Sequence, residues 1–537
     1  MNPGGVLVIG LDGGTLDLIG PLARRGVMPT FRRLIEGGRA GALRSTVPWY
    51  TIPGWTSLMT GVQPLTHGLL HWATGSPSGY LENLRAGRRF LTSADIARPT
   101  FWDVAGVAAR RVAVVNMPLT YPAWPVNGSM VTGLLTPKAA AAGACYPPDL
   151  LERFPDYRVD LSVSREAESP DAPAVAGVDL QPYLRELLEV TERRRELAAA
   201  VLEGDVDLGV VVFVGPDRIS HKAWDEQAAV ASRAAETEVE RLIEDYYRRL
   251  DAAVGDLVGR AGGEATVMVV ADHGFGPPPE RSFSVNAWLR YRGHLRLRGE
   301  RVQRLLSSSR LGRRASRAVT AWRRGGPRGQ PVPPAVDWRR TAVYAVTYPY
   351  TRLFGLIVNR AGAKEHGWVD ERGARELLDR LRAELAELRD ERGRRVVRGF
   401  HEAEGGGAFF GRPDLIVEVE DPFFPQGGFR RNRPFQRNPN PSGLHLRDGI
   451  FVLAGPRVRG TGEASADIVD VAPTALALLG LEPPAEMEGR VLDDLVEVPH
   501  REPVLGDVPR PGGPAAFITE DEEREIEAHL EALGYTD

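Results

Sequence analysis

The chain has 537 residues, 43% of them hydrophobic and 26% charged, the proportions of an ordinary globular protein with ample apolar side chain for a large core. A formal net charge of −4 excludes a general affinity for nucleic acid, and because Lys138, Lys222 and Lys364 are the only lysines, arginine clusters in this chain carry little diagnostic weight. The single cysteine, Cys145, excludes an internal disulfide and points to a reducing, cytoplasmic setting.

In chain order, the first feature is the apolar run Val6–Leu11, which reads as a buried strand because no basic stretch precedes it and it is too short for a signal core. It ends in Gly10-Leu-Asp12-Gly-Gly14, where glycines let the backbone turn tightly beneath an ion. Alone, Asp-Gly after a strand is an ordinary turn. Next comes Thr46-Val-Pro-Trp-Tyr-Thr51-Ile-Pro-Gly-Trp55, followed by His67-Gly68. A hydroxyl at a helix start meets unpaired backbone N–H groups that favour a phosphoryl anion, and the plainer reading of Thr51 is an N-cap without chemistry.

A strand over Val112–Asn116, a helix over Leu180–Leu202 and a strand over Leu208–Val214 follow. The last of these closes on Asp217-Arg-Ile-Ser-His221, whose Asp and His share one face if the segment is helical. A helix over Ala228–Val258 leads to the strand Ala265–Ala271, which stops on Asp272-His273-Gly274. Two ionisable groups at the end of an apolar strand are costly to bury unless they bind something.

Arg301–Pro334 breaks the rhythm with serines, a run of arginines and Gly325-Gly-Pro327; it is either a basic arm over an anionic substrate or, more simply, a solvated linker. Beyond the strand Leu415–Glu418, a second basic loop, Arg430-Arg431-Asn-Arg433 with Arg437, is the better candidate for phosphate contact. His445 stands just ahead of the strand Gly449–Ala454, and Thr519–Leu533 reads as an acidic amphipathic helix that only packs. No stretch reaches the roughly 20 apolar residues of a membrane span, so any membrane contact is expected to be peripheral.

The alternation of strand and helix predicts an α/β fold with a mostly parallel central sheet, helices on both faces and ligands at the carboxyl ends of strands. Residues 1–290 are read as the first part of the catalytic core and 291–435 as an inserted cap with the Arg-rich segment 301–334. Residues 436–537 then complete the core and carry the C-terminal helix. Asp12, Asp217, His221, Asp272, His273 and His445 together make three aspartates and three histidines, the donor complement of a two-metal hydrolytic site with positions left open for nucleophile and substrate.

The order of these pieces resembles the alkaline phosphatase superfamily, and within it the type I phosphodiesterase and nucleotide pyrophosphatase family, from Val6 to about Leu492. Phe101-Trp-Asp-Val, Val112-Ala-Val-Val-Asn-Met-Pro, Phe283-Ser-Val-Asn-Ala-Trp and Ile468-Val-Asp-Val-Ala-Pro-Thr474 add to the likeness. The resemblance implies that Asp12, Thr51, Asp272 and His273 surround one divalent ion while Asp217, His221 and His445 hold another. It also implies that Thr51 is the nucleophile, passing through a phosphothreonine intermediate. Mixed imidazole and carboxylate ligation suits zinc first and manganese second. The substrate expected is a small phosphate ester, a nucleotide or a lipid-linked head group, contacted by Trp55, His71, Trp72 and Arg431.

Two departures sharpen this expectation. The position that resembles a phosphate-binding asparagine of nucleotide pyrophosphatases is Trp72, with His71 beside it, which argues against nucleotides. Thr51-Ile-Pro53-Gly-Trp55 also lacks the Pro and Arg spacing of sulfatases. A phosphodiesterase is therefore expected, because the apolar, aromatic surroundings of Thr51 offer no local cation to grip a monoester dianion. The competing readings on the same fold are a phosphomonoesterase or a metal-dependent phosphosugar mutase, and beyond enzymes a non-catalytic binder of phosphorylated ligands.

Overall fold

The computed structural model describes residues 1–73, 89–138, 142–162, 179–298, 336–362, 366–401, 413–429, 433–438, 442–511 and 518–533. The Arg-rich segment 301–334 and the arginines Arg430 and Arg431 lie outside the described residues.

Runs of Val, Ile and Leu with no polar alternation must be covered on both faces. Val6–Leu11, Leu208–Phe213 and Thr266–Val270 are such runs, and every residue in them is buried. They form the centre of a ten-stranded sheet. Its order, from one edge, is Gly462–Glu463, Arg39–Arg44, Asp448–Ala454, Thr266–Val270, Val6–Leu11, Leu208–Phe213, Val112–Met117, Gly128–Thr132 and Cys145–Tyr146, with Ala466–Asp467 also on Arg39–Arg44. Pairing is mostly parallel, as expected, and Asp448–Ala454 runs antiparallel to both of its neighbours.

Side-chain alternation splits the core in two. Val6 and Val8 face one apolar cluster with the helices Thr51–Thr60, Phe101–Val107 and Val471–Leu478, while Leu7, Ile9 and Leu11 face another with Gln181–Val201 and Glu238–Ala261. Helices therefore cover both faces.

Two expectations need correction. The helix expected over Ala228–Val258 is two helices, Trp224–Ser232 and Glu238–Ala261. The break comes where Thr237 and Glu240 cap each other's backbone N–H, a reciprocal box that starts a new helix. The strand near Leu415–Glu418 exists as Leu415–Val419, but it belongs to a separate antiparallel sheet with Val343–Thr347, Leu353–Val358 and Val397–His401. An apolar run reads alike in either sheet, and its partners decide. The helix Glu371–Ala386 packs against this smaller sheet, in a cluster that also takes in Phe283 and Trp288.

A short antiparallel pair, Leu444–Leu446 with Gly274–Gly276, joins the end of one central strand to the start of another. The C-terminal helix Glu520–Leu533 buries Ile526 and Leu530 in the first cluster, and Glu522 accepts from the Tyr121 hydroxyl at 2.8 Å. Among the described residues, no helix is long and apolar enough to cross a membrane.

Candidate metal centre

Three adjacent parallel strands deliver the first ligand candidates to one edge. Leu11 is level with Phe213, and Gly10 with Val270, so Asp12, the turn before Asp217, and Asp272-His273 leave the sheet side by side. This is the crevice at the carboxyl ends of strands where α/β sheets take their ligands. Gly13 has φ +65° and donates its N–H to Asp272 Oδ1 at 3.2 Å, so the glycine after Asp12 also fixes a neighbouring carboxylate.

Asp217 and His221 lie one turn apart on the helix Gly215–Lys222, with His221 Nε2 3.3 Å from Asp217 Oδ1. The pairing of Leu444–Leu446 with Gly274–Gly276 sets His445 opposite Phe275. His445 Nε2 thereby comes 3.4 Å from Asp217 Oδ1 and 3.0 Å from His221 Nε2. On the other side, His273 Nε2 is 3.3 Å from Asp272 Oδ2 and 3.6 Å from Asp12 Oδ1. Donors held around one tetrahedral zinc stand roughly 3.3 Å apart, so both sets have the spacing of ligands that share an ion. The stacked rings of His273 and His445, 3.7 Å between centroids, bring the two sets together.

Hydrogen bonds on the far ring nitrogens orient two of the imidazoles. His273 Nδ1 donates to the Gly274 carbonyl at 3.0 Å, which leaves Nε2 as a bare lone pair, and His221 Nδ1 lies 2.9 Å from Ser442 Oγ. Burial pushes the pKa of all three histidines down, that of His445 to about 4, so they are neutral donors at ordinary pH. Burial, reinforced by neighbouring carboxylates, raises the Asp12 and Asp272 pKa values well above the usual range. Burial works the same way on Asp217, but His221, His445 and Arg218 outweigh it and hold its pKa low.

Thr51 opens the helix Thr51–Thr60. The first turn of that helix lies on Asp272: a Cβ on Gly54 would come within 2.9 Å of the Asp272 carbonyl and 3.0 Å of its Cβ, so only glycine permits the approach. Both oxygens of Asp12, Asp272 Oδ2, His273 Nε2 and Thr51 Oγ1 are buried and find no hydrogen-bond partner among the described residues. Each such atom costs about 1–3 kcal/mol if left so. Hard and borderline oxygen and nitrogen donors converging in this way fit divalent cations.

The remaining candidates fare differently. Trp55 is 1% exposed, with its ring edge packed against Gly10 of the central strand. Trp72 is likewise buried, in an aromatic cluster with Tyr50 and the half-buried His71. Arg431 lies outside the described residues.

Two contributors escaped the sequence reading. Tyr350 has φ +53°, its ring lies 4.0 Å from that of His221, and its carbonyl accepts the His445 N–H at 2.8 Å. The His445 carbonyl in turn accepts Trp49 Nε1 at 3.2 Å, which pins this histidine from both sides. Ser442 is the other. Neither has a local signal, since each acts through a residue distant in the chain.

A family model described as type I phosphodiesterase / nucleotide pyrophosphatase matches residues 6–399. Among solved structures, the chain is similar to phosphonoacetate hydrolase from Sinorhizobium meliloti 1021 in complex with phosphonoformate. The identity is 14%, the likeness covers 89% of this chain and 96% of that one, and the TM-score is 0.51, which speaks to the fold. The complex of the same enzyme with phosphonoacetate aligns at 14% identity over the same shares of both chains, with a TM-score of 0.49. No curated protein matches.

Proposed function

Because the chain belongs to the type I phosphodiesterase / nucleotide pyrophosphatase family, and is thus a metal-dependent hydrolase of phosphate esters, we propose that it cleaves phosphodiesters with Thr51 as nucleophile. The observation that carries this reading is the cluster of buried, unpartnered donors from Asp12, Asp272 and His273, with the unpartnered Thr51 Oγ1 at the start of a helix whose first turn lies on Asp272. Asp12, Asp272 and His273, with Thr51, would hold one cation, and Asp217, His221 and His445 a second; zinc suits the donor set first and manganese second. Bound there, the cations supply positive charge that acidifies a nearby hydroxyl and offsets the charge of phosphoryl oxygens.

The chain's own residues do the rest. Thr51 Oγ1 has no hydrogen-bond partner to break before it attacks phosphorus. Attack in line forms the Thr51 Oγ1–phosphorus bond as the bond to the leaving group breaks, the hydroxyl proton ending on the departing alcohol; water later hydrolyses the phosphothreonine, releasing the phosphate monoester and restoring the Thr51 hydroxyl. The start of the helix beneath Thr51 offers backbone N–H groups to the phosphoryl oxygens. The Gly274 carbonyl holds His273 in its ligating tautomer, and Ser442 fixes the ring of His221. Residues 291–435 serve as a cap, from which Tyr350 covers His221.

A diester is favoured over a monoester because the chain neighbours of Thr51, namely Trp49, Tyr50, Ile52 and Pro53, are buried apolar residues and none is a cation. The nearby guanidinium of Arg218 is engaged with Asp217 and Asp160. Comparing kcat/KM for matched aryl mono- and diesters, with and without chelator, tests the proposal. A chelator-sensitive diesterase is expected. A monoester advantage of tenfold, about 1.4 kcal/mol in transition-state binding, would turn the assignment to a phosphatase.

A further inference from the structure

We propose that Arg218 is a positioning residue for the Asp217 side of the metal centre, and that the C-terminal helix takes part through His529. The proposal rests on the reading of Asp217 as an ion ligand. Arg218 directly follows Asp217 on the helix Gly215–Lys222 and is 1% exposed. One arm of its guanidinium donates to Asp217 Oδ2, while Nε and the other arm donate to Asp160 Oδ2 at 3.2 and 2.7 Å. Asp160 is itself buried and its Oδ1 accepts the Leu161 N–H at 2.9 Å. His529, on the helix Glu520–Leu533, brings Nε2 to 3.7 Å from Asp160 Oδ2.

A guanidinium offers five N–H donors in a fixed fork, more than one carboxylate can take up. This one spans two and so ties Asp217 to Asp160, which comes from a distant part of the chain. The consequence falls on the carboxylate's rotation. With Oδ2 held by Arg218, Asp217 directs Oδ1 at His221 and His445, 3.3 and 3.4 Å away. Without the clamp the carboxylate could turn, and the three donors would no longer be preset at ligand spacing. Partners behind a ligand typically change metal affinity 10- to 100-fold. His529 supports the clamp from its far end, which couples the seating of the C-terminal helix to the metal centre.

Charge and position predict opposite signs here. Removing a cation near the site should, by Coulomb's law alone, tighten the binding of a divalent ion; removing an orienting clamp should loosen it. The test is Zn²⁺ affinity by chelator competition on full-length protein, a readout independent of turnover and substrate. The double variant Arg218→Gln/Asp160→Asn removes one charge of each sign, so the net charge is unchanged and Asp160 is not left as an unpaired buried anion. One Zn²⁺ is expected to bind 10- to 100-fold more weakly in it, with the other unchanged. Arg218→Lys keeps the charge but not the fork; if the double variant does not fold, it is expected to show a loss in the same direction. His529→Gln should weaken the same ion by less than tenfold.

Parental affinity in the double variant, or in Arg218→Lys where that is the variant that folds, would overturn the proposal if Asp217→Asn still loses an ion. Asp217→Asn with a full complement of zinc would overturn the ligand reading beneath it as well. Parental affinity in His529→Gln would remove the C-terminal helix from the scheme.

Discussion

At the corner formed by Thr100 and Trp124, Asp103 is nearly as buried as Asp12 at the sheet edge, yet the two carboxylates are treated differently. Asp103 Oδ2 accepts the Thr100 N–H at 3.0 Å and the Thr100 hydroxyl at 2.6 Å, and its Oδ1 accepts Trp124 Nε1 at 2.8 Å. Among the described residues, neither oxygen of Asp12 meets a hydrogen-bond partner. Burial raises the pKa of both, but at Asp103 the Thr100 and Trp124 donors oppose the rise, whereas at Asp12 the charge of Asp217 adds to it. A buried carboxylate is therefore no sign of function by itself. What marks a site is a buried carboxylate whose oxygens the protein leaves unpaired beside other unpaired donors.

The largest expected effect isolates chemistry from ligation at the unpaired site. Thr51→Ala should lower turnover by about a thousandfold or more while ion content stays near that of the parent; unchanged turnover would end the nucleophile assignment. Asp12→Asn should instead remove an ion by elemental analysis and cut activity by about a hundredfold. After chelation, the same variant should unfold at no lower denaturant concentration than the chelated parent, because a buried unpaired charge has gone. Asp103→Ala should behave in the opposite way on each count. A loss of about 1–3 kcal/mol in urea unfolding is expected, with ion content and activity per folded molecule retained. If Asp103→Ala loses metal, the contrast between the two regions collapses.

Acid sharpens the same contrast in chelated protein. The pKa of His445 falls from 6.5 to about 4 on folding, so between these values the unfolded chain binds the extra proton and the folded one does not. The stability this contributes is present above pH 6.5 and is lost as pH falls through 4. His445→Gln should flatten the slope of stability against pH in that window, measured as urea midpoints; an unchanged slope would mean that His445 is not held neutral by the fold. The smallest effect is expected at another satisfied carboxylate, Glu240, which shares a capping box with Thr237. Thr237→Ala should cost about 1 kcal/mol and leave activity alone.

Much of the central sheet was legible because its signal is local. Val6–Leu11 is a strand with the bounds its apolar run implies, and the runs near Leu208 and Ala265 end within a residue or so of the observed limits. Each stops close to a carboxylate, so the sequence alone showed which residues would stand at the sheet's edge. It could not say which strands are neighbours, nor that Leu415–Val419 pairs in a different sheet.

From the sequence by itself came the donor set and its residue types, since an apolar run that ends in Asp or Asp-His is costly unless something binds there. The tertiary structure alone decided the rest. The burial of Trp55, two positions from Pro53 and beside Gly54, is set by how its helix packs on the sheet. Arg218 has no local signal in an arginine-rich chain, yet the fold sets it between Asp217 and Asp160, and His529 from a third segment approaches Asp160. His445 reaches His221 only because Leu444–Leu446 pairs with Gly274–Gly276. The periodicity of a segment encodes which of its residues are buried, whereas the partner of a buried polar group is set by chain crossings that no local pattern records.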